Sequence, residues 1–252
     1  MMRCQGLLSR AVHDLTKAIW IKESNMYKSA LGLAFLFTIS QAVTFGQSDP
    51  TKSATYIMNS DVKAVEDAGA ARTPPAVDQM LKIVDLKKYN LGVGIIHRGP
   101  TAPPGGRGNA TKKGGGAARG PVEHCTAGSG MATASSGGTG VPGGISHDDE
   151  TETYIIVSGG GTLVTGGTII NGSKSAPESE VTKILNGPSC SGAIVGPDVV
   201  QRQVSVGDII IIPFGLPHGW TNITDHVDYL SVRPDPSHVL ESGYVNPALK
   251  GK

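Results

Sequence analysis

Charge of either sign is scarce in this sequence. Of its 252 residues, 17% are Asp, Glu, Lys or Arg, and the formal net charge is +1. Such a chain produces no strong field that would attract nucleic acid or an anionic membrane surface, so we expect neither as a partner. Glycine, in contrast, is abundant at 35 residues, and its combination with many Val and Ile residues favours β structure.

Long apolar runs are also lacking. The strongest, residues 30–39 (ALGLAFLFTI), is shorter than the ~20 residues that a helix needs to cross a bilayer. Lys28 precedes this run and a small-x-small cleavage site at residues 40–42 follows it, a pattern typical of a secretory signal peptide. We therefore predict a leader over residues 1–46, with Met26 as an alternative start, and a secreted or periplasmic protein without a membrane span after the leader is removed. A buried N-terminal helix is the alternative interpretation.

Cysteine is rare, and so are the common catalytic motifs. Only Cys125 and Cys190 lie beyond the predicted leader, which excludes a disulfide framework and leaves a single bridge open. No Gly-x-Ser-x-Gly elbow and no Cys-x-x-Cys pair is present. The glycine-rich segment GGGTLVTGG lacks the lysine and the following helix of a phosphate-binding loop.

The segment 47–90 has a helical pattern in two pieces. Ser60 can cap the stretch DVKAVEDAGA, and Pro75 opens the stretch AVDQMLKIVDL, in which apolar residues recur at helical spacing. We predict two short helices that pack outside a β core.

From Leu91 onward the sequence consists of short β-type segments separated by Gly, Pro, Asn and Asp. Without intervening helices, these segments predict an antiparallel sandwich or barrel over residues 91–240, followed by a tail at 241–252. The run Ile209–Ile212 shows no polar alternation, and we predict a strand that is buried on both faces.

Residues 107–144 interrupt this rhythm, because they are mostly Gly, Ala, Ser and Thr. From Arg98 to Gly120 the chain carries five basic residues, Arg98 included, and no acidic one. No aromatic residues alternate with them, as a nucleic-acid-binding arm would require. We interpret residues 107–144 as a low-complexity insert in the barrel and expect His124 and Cys125 inside it to be poor ligands.

One motif is specific. The pattern Gly207-x5-Pro213-x-Gly215-x2-His218-x3-Asn222 resembles the second conserved motif of the cupin family at every defined position. The resemblance implies an all-β fold, an antiparallel cupin-type β-barrel or jelly roll, here with the short N-terminal helices packed outside it.

A second motif resembles the cupin pattern in part. His147-x4-Glu152-x6-Gly159 matches the latter half of the first cupin motif. Ile145 stands where that motif has its first histidine, and Thr139 stands where it has its leading glycine. The two motifs together extend the resemblance over the strands from residue 91 to about residue 239.

The resemblance places His147, Glu152 and His218 at the metal-ligand positions. Two imidazoles and one carboxylate suit a divalent transition metal, namely Fe, Mn, Ni, Zn or Cu, and leave coordination positions open. Asp149 could supply the carboxylate instead, but it lies outside the register of the motif. Ile145 lies two residues before His147 and therefore on the same strand face, where a fourth ligand would stand.

Strand alternation indicates which side chains line the interior beside these ligands. If Glu152 points inward, so does Tyr154, and Trp220 shares the parity of His218. Tyr229 and Arg233 share one face of the last strand, where we predict that Arg233 anchors a substrate carboxylate.

Three classes of function fit this pattern. The first is a metal-dependent cupin oxidoreductase, decarboxylase or isomerase that acts on a small molecule. The second is a metal-free barrel that binds a small molecule such as a sugar, and the third is a structural or storage barrel. A homodimer stays open as the assembly.

Overall fold

Ten antiparallel strands form the framework of the residues that the structure describes. The structure is a computed structural model, and it describes residues 49–101, 125 and 141–250. The strands in chain order are β1 (Asp78–Asp85), β2 (Asn90–Arg98), β3 (Val141–His147), β4 (Glu152–Thr165), β5 (Thr168–Lys174), β6 (Ser189–Val195), β7 (Val200–Ser205), β8 (Ile209–Ile212), β9 (His218–Thr221) and β10 (Val227–Asp235).

The longest strand, β4, belongs to two sheets. Residues 152–159 pair with β10 and, over their first part, with β8, which gives the order β1-β2-β10-β4-β8. Residues 160–165 pair with β9 and β7, which gives the order β7-β4-β9-β3-β6-β5. The strands curl around one interior that contains the apolar cluster of Ile156, Leu163 and Tyr229. The predicted all-β, antiparallel fold is confirmed.

One of the two predicted N-terminal helices is present. Helix α1 spans Asn59–Ala70, and the carboxylate of Asp61 accepts the backbone N–H of Met58 at 3.1 Å. Ser60, the predicted cap, lies inside the first turn, so that detail is wrong. Met58 is the N-cap residue, and Asp61 reaches back to it from the third helical position, where a carboxylate also benefits from the positive end of the helix dipole.

Helix α1 packs on the outer face of the first sheet, as predicted. Its Val65 is fully buried against Leu81 of β1 and Ile95 of β2. Leu249 joins the same cluster from a short 3₁₀ turn, Pro247–Leu249, near the C-terminus. None of the helices in the described residues is long and apolar enough to cross a membrane.

The second predicted helix is wrong, because its residues form β1. This strand is covered on both faces: Leu81 packs toward α1, whereas Met80 and Ile83 pack against Leu185 and Leu240. A bulge between Met80 and Lys82 also shifts the alternation by one residue. A strand that is buried on both sides and interrupted by a bulge loses its period of two, so its apolar residues imitate helical spacing.

The isoleucine run forms strand β8, but its predicted burial is wrong. Ile212 is 1% exposed, whereas Ile209 is 65% and Ile211 is 68% exposed. Strand β8 pairs only with β4 among the described strands, and no described layer covers its outer face. Strand β8 is therefore an ordinary edge strand with one buried face, and its uniform isoleucine sequence gives no sign of the difference between the two faces.

The predicted insert ends earlier than residue 144. Strand β3 begins at Val141, which is 2% exposed and packs against Val164 and Ile194. Cys125 forms a disulfide with Cys190 of β6, which was one of the alternatives left open. The rest of the predicted insert and the predicted leader lie outside the described residues.

Two matched substitutions in β8 test this placement. We expect Ile212→Ala to lower the free energy of unfolding by about 2–5 kcal/mol, because it opens a cavity in the interior. Ile211→Ala removes the same atoms from an exposed position and should change it by less than about 0.5 kcal/mol. Chemical denaturation measures both values, and equal losses for the two variants would contradict the assignment of faces.

Candidate metal centre

The segment of residues 213–217 sets the position of His218. Gly215 has φ +75°, a conformation that glycine adopts without steric cost. Its N–H donates to the carbonyl oxygen of His147 at 2.7 Å, which ties the loop before β9 to the end of β3. The rings of His147 and His218 consequently lie with their centroids 5.1 Å apart.

Glu152, the first residue of β4, completes the group. Its Oε2 lies 3.1 Å from Nε2 of His147 and 3.1 Å from Nε2 of His218. All three residues are buried, with exposures of 1–3%. Their ligand atoms lie within 4.8 Å of one another, close enough for a single ion to contact all three. The three predicted ligands therefore meet at one point.

The outer nitrogen of each imidazole has a partner that fixes the ring. Nδ1 of His147 lies 2.9 Å from the hydroxyl of Ser189, and Nδ1 of His218 lies 3.0 Å from the carbonyl oxygen of Leu216. A carbonyl oxygen only accepts, so Nδ1 of His218 carries a proton, and in the neutral form of the ring Nε2 presents a lone pair. Such partners are typical of metal-binding histidines.

This tautomer places two lone pairs against each other. The buried Nε2 of His218 faces Glu152 Oε2 and has no hydrogen-bond partner among the described residues. A nitrogen lone pair and a carboxylate oxygen at 3.1 Å repel each other unless a cation, either a metal ion or a proton, neutralises the contact. The donor set therefore fits a divalent transition metal.

Ionisation of the group is set by burial and by Arg233. Burial acts to raise the pKa of Glu152, but Arg233 and the close contacts with His147 and His218 outweigh it and hold that pKa well below its ordinary value. Burial lowers the pKa of the His147 imidazole. At neutral pH the site therefore offers a carboxylate and a neutral His147, the protonation states in which these groups bind metals.

Arg233 lies behind the carboxylate rather than in open space. Its Nε donates to Glu152 Oε1 at 2.8 Å, and its Nη2 contacts Asp78 at 2.8 Å. Its Nη1 donates to the carbonyl oxygen of Leu185, and the residue is 1% exposed. These contacts occupy the guanidinium, and the one with Glu152 orients that carboxylate. This role differs from the predicted binding of a substrate carboxylate by Arg233.

The predicted aromatic lining lies in the interior. Tyr154 donates its hydroxyl proton to Glu152 Oε2 at 2.7 Å. Its ring lies 4.3 Å from that of Tyr229, and Trp220 stacks on Tyr229 at 5.3 Å. Together these rings form an apolar wall on one side of the centre, because all three residues are buried.

The structure also places Ile145, which stands where the motif has its first histidine, and Asp149, the alternative carboxylate. Ile145 lies directly opposite His218 in the pairing of β3 with β9, so the two side chains share a face. Asp149 is exposed and lies outside the ligand group.

Three residues near the centre were not predicted. Ser189 belongs to a segment without any motif, and Arg98 carries only the weak signal that it shares a strand face with Ile96. Glu150 is 1% exposed, and neither of its carboxyl oxygens has a hydrogen-bond partner among the described residues. Burial raises the pKa of Glu150 to about 8, an effect that the charges of Asp235 and Glu152 reinforce and that of Arg233 opposes.

Comparisons with known proteins give matches only among solved structures. No family model matches the chain. No curated protein matches it either.

Three of the similar structures illustrate the likeness. A protein of Bacillus halodurans shares 14% identity over 75% of this chain and 86% of its own, with a TM-score of 0.35. A cupin protein of Bacteroides fragilis shares 15% over 62% and 72%, with a TM-score of 0.26. Oxalate oxidase in complex with glycolate shares 13% over 65% and 53%, with a TM-score of 0.28, so the chain spans about half of its length. At these values the fold assignment rests on the strand order and the motif geometry above.

The buried carboxyl group of Glu150 leads to a prediction on pH. Its folded pKa of about 8 lies above the ordinary value of 4.5, so its stabilising effect is complete below pH 4.5 and is lost as the pH rises through 8. We expect Glu150→Gln to remove this loss, which amounts to at most about 1.4 kcal/mol per pH unit. Denaturation at several pH values should show the variant gaining stability relative to wild type between pH 4.5 and 8.

Asp149→Asn is the matched control, because it neutralises an exposed carboxylate one residue away. This control should follow the wild-type profile. Parallel profiles for wild type and Glu150→Gln would show that Glu150 is ionised in the folded protein.

Proposed function

We propose that this protein is a metal-dependent cupin-type protein in which His147, Glu152 and His218 bind one divalent transition metal, and that it acts on a small molecule. The observation that carries the proposal is the buried contact between the Nε2 lone pair of His218 and the carboxylate of Glu152. Two imidazoles and one carboxylate suit Fe, Mn, Ni, Zn or Cu and leave positions for water, oxygen or substrate. The bound metal would supply Lewis acidity or oxygen activation.

The chain itself contributes orientation and proton control. Ser189 and the carbonyl of Leu216 hold the two imidazoles, and Arg233 keeps Glu152 ionised. Burial raises the pKa of Tyr154 well above its ordinary value, so its phenol keeps a proton next to Glu152 Oε2. The buried rings of Tyr154 and Tyr229 limit the access of water to this side of the centre. This chemistry, an oxidation, decarboxylation or isomerisation, needs no protein nucleophile.

Export is part of the proposal. The apolar run of residues 30–39 with its cleavage pattern supports a secreted or periplasmic location. The disulfide between Cys125 and Cys190 supports it independently, because such bonds persist mainly in oxidising compartments.

A metal-free barrel that binds a small molecule is the second candidate. The observation in its favour is that Glu152 already receives hydrogen bonds from Tyr154, Ser231 and Arg233. A carboxylate with this many donors is stable without a metal ion if the histidines carry an additional proton. The two candidates differ in the consequence of chelation, since a metal-free barrel would keep its ligand affinity.

Elemental analysis tests the first candidate. We expect the wild type to retain about one transition-metal ion per chain and His218→Ala to lose metal affinity by more than about 100-fold, since even changes to outer partners of a ligand cost 10–100-fold. His226→Ala is the matched control, because this histidine contacts Ser158 and Asp225 outside the ligand group. Equal metal contents in wild type and His218→Ala would contradict the assignment.

Activity distinguishes the two candidates. A panel of small acids, phenols and sugars should include a substrate whose turnover is abolished by chelation and restored by Fe(II) or Mn(II). If a ligand from the panel binds the chelated protein equally well and none is turned over, the metal-free barrel is correct.

Ile145 provides a separate prediction. Its position opposite His218 means that Ile145→His adds a third imidazole on the same face. We expect this variant to bind Mn(II) or Zn(II) about tenfold more tightly, measured by competition with a chelator. Ile145→Gln serves as a control for the change in polarity. An unchanged affinity in Ile145→His would show that the side chain of residue 145 does not reach the metal.

A further inference from the structure

A second arginine reaches the interior from the end of β2. Arg98 shares the inward face of this strand with Ile96, and its Nε donates to the hydroxyl of Tyr229 at 2.9 Å. Unlike the buried Arg233, Arg98 is partly exposed. Arg98 therefore contacts the aromatic wall of the metal centre, while part of the residue reaches solvent.

The charge of Arg98 is not balanced within the described part of the chain. No carboxylate of the described residues forms an ion pair with Arg98, whereas Arg233 pairs with both Glu152 and Asp78. Burial acts to lower the pKa of Arg98, but Tyr229 and, to a smaller extent, Asp78 raise it. Oδ2 of Asp78 contacts Arg233, and its Oδ1 has no hydrogen-bond partner among the described residues. A guanidinium carries a permanent charge, and a charge that is withdrawn from water is costly unless it is paired. A bound divalent metal would add further positive charge, so the interior favours an anion.

Two further hydrogen-bond donors belong to the same aromatic pair, namely the indole N–H of Trp220 and the hydroxyl of Tyr229 itself. Trp220 stacks on Tyr229, and its buried Nε1–H has no hydrogen-bond partner among the described residues. Tyr229 is fully buried and accepts from Arg98, so its own hydroxyl proton is available to a further acceptor. A buried indole N–H without an acceptor is uncommon, because leaving such a group unpaired costs about 1–3 kcal/mol. The N–H of Trp220 is therefore available to donate a hydrogen bond to a ligand oxygen.

We propose that Arg98, Tyr229 and Trp220 form a subsite that binds the carboxylate of a small organic acid with a planar, apolar body. The two Nη groups of Arg98 remain for a carboxylate, the N–H of Trp220 supplies a further hydrogen bond, and the neighbouring rings of Tyr229 and Trp220 favour an apolar body. The subsite names the ligand class for the proposed function and depends on it only for the link to the metal centre. It replaces Arg233 as the anchor of the acid.

Calorimetric titration of the full chain with benzoate and with its neutral analogue benzamide tests the subsite. We expect the wild type to bind benzoate at least about tenfold more tightly, since hydrogen bonds to charged groups are the stronger ones. Arg98→Gln should abolish this preference. Arg98→Lys keeps the charge but loses the fork, so it should retain part of the preference.

Arg202→Gln is the matched control, because it makes the same change at an exposed position on β7 and should leave the preference intact. Trp220→Phe removes the indole N–H and should weaken benzoate binding more than benzamide binding. If Arg98→Gln fails to fold, as judged by circular dichroism, Arg98→Lys and Trp220→Phe still decide the outcome. Equal affinities for benzoate and benzamide in the wild type, or an undiminished preference in Arg98→Lys and Trp220→Phe, overturn the proposal.

The same titration on His218→Ala separates the subsite from the metal centre. A benzoate preference that survives in this variant supports the subsite, even if elemental analysis shows that the wild type binds no metal. Metal retention by a wild type that shows no benzoate preference leaves the metal centre standing and removes the subsite.

Discussion

The ion pair between Arg233 and Glu152 determines the arrangement of the interior. Arg233 fixes Oε1 of the carboxylate, so that Oε2 turns toward both imidazoles and toward the phenol of Tyr154. Both partners are 1% exposed, and a buried carboxylate without its cation would take up a proton. The candidate ligand group therefore depends on a residue that is itself unable to bind a transition metal.

The convergence of His147, Glu152 and His218 could be predicted because the motif residues near them have specific conformational requirements. Gly159 and Gly215 adopt φ +64° and +75°, and a Cβ atom at Gly159 would lie 2.1 Å from the carbonyl oxygen of His226. Asn222 adopts φ +52°, a conformation that asparagine tolerates better than most residues. These conformational requirements are local, so the residues that satisfy them stand at fixed spacing from His218 and Glu152 in the sequence.

The errors have the opposite origin, because they concern partners that are distant in the sequence. Whether β1 is a strand depends on its coverage by α1 on one side and by Leu185 and Leu240 on the other. The exposure of Ile211 depends on whether another layer covers its face of β8, and no described layer does so. Likewise, Arg98 and Arg233 are equally basic in sequence, and only the location of Asp78 and Glu152 shows which of them is already neutralised.

The passage of β4 through both sheets couples regions that lie far apart along this strand. Glu152 begins β4, whereas Leu163 and Val164 near its other end pair with β7 and β9. A slip of one residue would turn Glu152 and Tyr154 outward and at the same time reverse the faces of the second half. The register of the second half of β4 therefore also determines which way Glu152 points. A change in packing around Leu163 that shifted this register would displace Glu152.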